Sequence, residues 1–245
     1  MGAKTGLLVY ADSDVPGLLR RVGAADLDRT VTMMRRLYSG WEIEECEGST
    51  LWDGVYPPKG TAYAASWPGV DVIGDQRVMI DAPSQLPEHL VAASAGRRLV
   101  LHAMHSVVDW LAFAVWEDGR LVRSLSLSPD SGIIENIGEP LPFELPYWAG
   151  DRPADVIPWP DEDEEPYPLP FHPLELGEDA MRALCGFIRR AAPSRTTSTQ
   201  TTSDCTASRC GTRTALIPQS RKRSCEGPWK PWDRHACTRS APTAR

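Results

Sequence analysis

The chain has 245 residues, 42% of them hydrophobic and 24% charged, with a net charge of −7. The length allows one large domain or two small ones, and no apolar run nears the ~20 residues of a membrane-spanning helix. Residues 1–192 hold 16 Lys+Arg against 30 Asp+Glu (net −14), whereas residues 193–245 hold 10 against 3 (net +7); an acidic body repels phosphates and speaks against nucleic-acid binding.

The first apolar run, residues 6–10, passes straight into Ala11-Asp12-Ser13-Asp14 with no small-residue cleavage site. This predicts a buried first strand rather than a secretory signal, and a cytoplasmic protein. Asp26 can cap a helix in which Leu27, Val31, Met34 and Tyr38 recur at helical spacing and Arg29, Arg35 and Arg36 face away. Gly40 stops it. Residues 41–47 read as a strand and 48–60, with Pro57-Pro58, as a loop. Short strands are expected at 61–66, 70–73 and 77–80, then a short helix at 87–95.

The strongest β signal follows. Residues 98–105 form a largely apolar run, and 111–116 and 120–127 flank Glu117-Asp118-Gly119, a hairpin turn. Leu125 and Leu127 share one face of the return strand, and Ser124, Ser126 and Ser128 the other, which predicts a sheet with one wet side. A further strand is expected at 133–137. Residues 138–173, rich in proline and acidic at 161–165, read as an extended arm. Residues 178–190 form an amphipathic helix with Met181, Leu184, Cys185 and Ile188 on its apolar stripe. The pattern predicts a single α+β domain over 1–192, with a mainly antiparallel mixed sheet and flanking helices.

From residue 193 the chain loses all periodicity and offers little to bury beyond Leu216-Ile217 and two tryptophans. Such a segment is expected to be disordered. Its four cysteines lack the two-residue gap of a zinc knuckle. Back-translating residues 194–208 with GC-rich codons and shifting the frame yields an acidic segment like the upstream chain. The basic tail therefore reads as a frameshifted product.

Candidate chemistry is sparse. Asp12 and Asp14 after an apolar strand resemble the first motif of the haloacid-dehalogenase phosphatases, which implies magnesium and an aspartyl nucleophile. Pro16 stands where that motif has Thr or Val, and no later lysine or acidic pair follows, so a solvated capping turn competes. His102, His105 and Asp109 are the best ligand-like cluster, although strand residues three apart point to opposite faces. Glu135, Asn136 and His172 could join a polar pocket. No nucleophile elbow or phosphate loop is present. No cofactor or metal is expected.

Three stretches carry a resemblance: residues 1–14 (Met-Gly-Ala-Lys-Thr-Gly-Leu-Leu-Val-Tyr-Ala-Asp-Ser-Asp), residues 122–143 and residues 171–176. They resemble a domain-of-unknown-function family of high-GC Gram-positive bacteria. The resemblance covers residues 1–190 and implies no activity. The sequence reading is thus a non-catalytic binding or immunity-type protein with an acidic surface and a protein partner. The alternative is a hydrolase using Asp12/Asp14 or His102/His105/Asp109.

Overall fold

A computed structural model describes residues 3–46, 51–154, 167–187 and 213–217. In chain order it runs β1 (Lys4–Ala11), α1 (Val15–Leu19), α2 (Leu27–Leu37), β2 (Glu42–Cys46), α3 (Leu51–Gly54), β3 (Ala62–Trp67) and β4 (Val70–Asp75). Two 3-10 turns, Gln76–Val78 and Pro83–Gln85, lead to α4 (Glu88–Ala92). Then come β5 (Arg98–His105), β6 (Trp110–Glu117), β7 (Arg120–Ser128), β8 (Gly132–Ile137), α5 (Leu145–Trp148), α6 (Pro173–Cys185) and β9 (Arg213–Ile217).

Seven strands run in the order β3-β4-β1-β5-β6-β7-β8, every neighbour antiparallel. Beyond β3 lie β9 and then β2, also antiparallel. β9 falls in the tail and contains Leu216-Ile217; the rest of residues 193–245 lies outside the described residues. The protein is α+β, with an antiparallel sheet and flanking helices.

The sheet is covered on both faces, so its central strands are apolar throughout. Leu7, Val9, Phe113, Leu125 and Leu127 pack on one face against α1, α5 and α6. Leu8, Tyr10, Leu99, Leu101 and Trp116 pack on the other against α2, α4 and the two 3-10 turns.

This double covering corrects the expectation of a wet side. Ser124, Ser126 and Ser128 are buried, because the segment around Pro83–Gln85 lies over them. Ser126 donates to the Asp81 carbonyl, and Ser124 donates to Glu135, which also holds Ser84. The hydroxyls thus find protein partners in place of water. Two boundaries also move. Residues 77–80 hold no strand: Asp75 caps the Gln76–Val78 turn by accepting from the Arg77 amide. The last helix begins at Pro173, five residues before the expected start, with His172 as its cap.

Candidate functional site

The eight predicted site residues are dispersed. Asp14 caps α1, its Oδ2 accepting from the Gly17 amide at 2.7 Å. Asp12 instead accepts from Arg97 Nε at 2.5 Å. The two carboxylates therefore serve different partners and do not form a facing pair.

His102 is fully buried, with Nε2 2.9 Å from the Gly177 carbonyl and Nδ1 2.9 Å from Thr5 Oγ1. A carbonyl only accepts, so Nε2 carries the proton and Nδ1 accepts from the threonine. Burial pushes this imidazole down to about 4, and the Gly177 bond partly offsets that. His105, three residues on, sits on the opposite face, as the strand period requires. Its Nδ1 is buried without a hydrogen-bond partner among the described residues, and burial followed by the Lys4 charge lowers its pKa.

Asp109 and His172 are brought together, 3.6 Å apart. The ring of His172 stacks on Tyr167 at 5.7 Å, and its Nδ1 accepts from the Leu174 amide at 3.2 Å. With that lone pair committed, Nε2 carries the hydrogen toward Asp109, and the ring has no free base atom. Among the described residues no group of three or more His, Cys, Asp and Glu could hold a metal.

Glu135 and Asn136 occupy one strand, β8, and they pin it from both faces. On one face Glu135 accepts from the Ser84 amide at 3.0 Å, from the Ser84 hydroxyl at 2.5 Å and from Ser124. On the other, Asn136 Oδ1 accepts from Arg123 at 2.6 Å, and the same nitrogen reaches the Ile137 and Gly138 carbonyls at 3.0 and 3.1 Å. Arg123 is wholly buried and forms a bidentate pair with the equally buried Glu144, at 2.9 and 2.6 Å. Glu144 also accepts from the Leu141 amide and Trp148 Nε1. The charges are thus paired and their polar atoms satisfied, which a buried ion pair needs.

β8 is the terminal strand at its end of the sheet. Three of its isoleucines are exposed, Ile133, Ile134 and Ile137 at 44%, 37% and 43%, with Val122 of the neighbouring β7 at 43%; Ile133 stands opposite Leu127 and Ile137 opposite Ser124, so they flank the edge on the two faces of the sheet. Two register shifts account for part of this exposure. One, between Val115 and Trp116, leaves Val122 without a partner on β6; the other, between Ser126 and Leu127, does the same for Ile134. Bulges of this kind re-aim side chains at sheet edges. The sequence pattern predicts a strand at 133–137 and carries no sign of its exposure beyond position: among the described residues no strand follows β8 until β9.

Among comparisons with known proteins, the model of a family of unknown function (DUF6928) matches residues 5–203. No curated protein and no solved structure matches the chain.

Proposed function

The chain belongs to this family of unknown function, and from that premise we propose that it is a non-catalytic binding protein whose β8 edge takes an extended, basic segment of a protein partner. The observation that carries the reading is the exposure of Ile133, Ile134 and Ile137 along a terminal strand that is itself firmly anchored. A sheet edge offers unpaired backbone groups to an added strand, and alternate side chains then give specificity. Asp130 and Glu139, both exposed, bracket β8, and residues 1–192 carry a net charge of −14. Both favour a basic partner.

The proposal places the working domain in residues 1–192, resident in the cytoplasm; the unpaired thiol of Cys185, buried in α6 and pushed up to about 12 by that burial, accords with this. It treats residues 193–245 as a frameshifted product. The hydrolase alternative has less support, because Asp12 and Asp14 serve different partners and His102 is buried with both ring nitrogens in core hydrogen bonds.

Affinity capture from native cells, with wild type beside an Ile133→Lys/Ile137→Lys variant, tests the reading. A basic protein retained by wild type and lost by the variant is the expected result. Equal retention by both, or no partner at all, would contradict it.

A further inference from the structure

We propose that a second site, the cleft between α2 and the turn leading into β5, binds a small molecule through an oxyanion (phosphate or carboxylate) with Arg29 and Arg36 as its ligands. The cleft encloses about 590 Å³, within the range of small-molecule sites. It lies on the part of the sheet formed by β4, β1 and β5, away from the β8 edge, so it stands independently of the partner-binding proposal.

One wall is α2. Arg29, Thr32 and Arg36 recur at three and four residues and so share a helix face, with Met33 beneath them. The other wall, Ala93 and Ala95, is built of small side chains that leave the space open. At the base lies Asp71, 4% exposed. A buried carboxylate demands counter-charge, and Arg97 Nη1 at 2.6 Å and Arg29 Nε at 3.3 Å supply it. The remaining nitrogens of Arg97 donate to Asp12 at 2.5 Å and to the Tyr10 carbonyl at 3.1 Å. Three of the five N–H groups of Arg97 are thus spent, and the one on Asp71 fixes that carboxylate.

Asp71 in turn tethers Arg29 by its Nε, which orients the guanidinium and leaves both terminal nitrogens without a hydrogen bond among the described residues. Arg36 has no ion pair or hydrogen bond among the described residues. Two guanidiniums, one of them oriented in advance, thus face an open cleft in an otherwise acidic body. Planar guanidinium forks match the paired oxygens of carboxylate and phosphate. Asp28, on the rim and likewise unpartnered, opposes an anion and limits affinity.

The test titrates pyrophosphate and, separately, succinate into the full chain at low ionic strength, followed by calorimetry. Saturable one-to-one binding of at least one probe is expected, and the better probe identifies the oxyanion class. Arg36→Gln should weaken that binding about tenfold or more, the worth of a charge-assisted hydrogen bond. Asp28→Asn should tighten it, and Arg120→Gln, an exposed arginine at the start of β7, should leave it unchanged. Arg36 is exposed and has no hydrogen bond or ion pair among the described residues, so its replacement should leave the fold intact, which an unchanged melting temperature would verify. Failure of both probes to saturate, or equal binding by wild type and Arg36→Gln, overturns the proposal.

Discussion

His102 sits in the core as a neutral ring between Thr5 and Gly177, and that fixes how the protein should respond to acid. Its folded pKa of about 4 lies below the ordinary value of 6.5. Between those limits the unfolded chain binds a proton that the folded chain refuses. Stability should therefore fall as pH drops from about 6.5 and level off below about 4, by about 3 kcal/mol over the whole window. Urea unfolding at pH 7 and pH 5 would measure it. Wild type should lose about 2 kcal/mol more over that interval than His102→Gln, which keeps a donor and an acceptor but does not titrate; equal losses would show that the ring is not the source. The strand period correctly separates His102 from His105, but no local pattern announces that Gly177, 75 residues away, supplies the partner. Arg123 was equally hidden. An arginine in a strand reads as an outward residue, and its buried counter-charge, Glu144, comes from an arm with no periodicity at all.

At the scale of elements, the strands and the hairpin were legible because apolar runs and Asp118-Gly119 are local signals. The covering of the sheet was not. A serine face looks wet in sequence, and only the long-range arrival of the Pro83–Gln85 turn makes it dry. The start of α6 was misread for a related reason: Pro173 looks like an interruption, yet proline is well suited to a first helical turn, and Gly177 lowers helix propensity where the tertiary structure demands a small residue. A Cβ on Gly177 would lie 2.9 Å from Met104 Sδ and 3.0 Å from Leu111 Cδ1. Gly177→Ala should thus destabilise the protein by about 1–3 kcal/mol through overpacking, despite alanine's better helix propensity. Thermal or urea denaturation would detect it; a stabilised variant would mean that α6 packs less closely on β5 and β6. β8 was found as a strand, but its exposure depends on its being terminal and bulged, which are properties of the whole sheet.

For the whole molecule, the divided charge was the most informative feature of the sequence. The acidic body is the part whose surface a basic partner would meet, and the basic tail contributes to the described structure only through β9. The frameshift proposal for residues 193–245 makes a direct claim about the gene: resequencing should recover a reading frame that continues acidic past residue 192, and confirmation of the present codons would end it. The central claim is that β8 is a docking edge. Its most direct test is a photo-reactive residue placed at position 137 in native cells, beside a control at Val107, which is 70% exposed on the β5–β6 turn. The account predicts a cross-link to a basic protein from position 137 and none from position 107. No adduct at 137, or equal adducts from both positions, would contradict it.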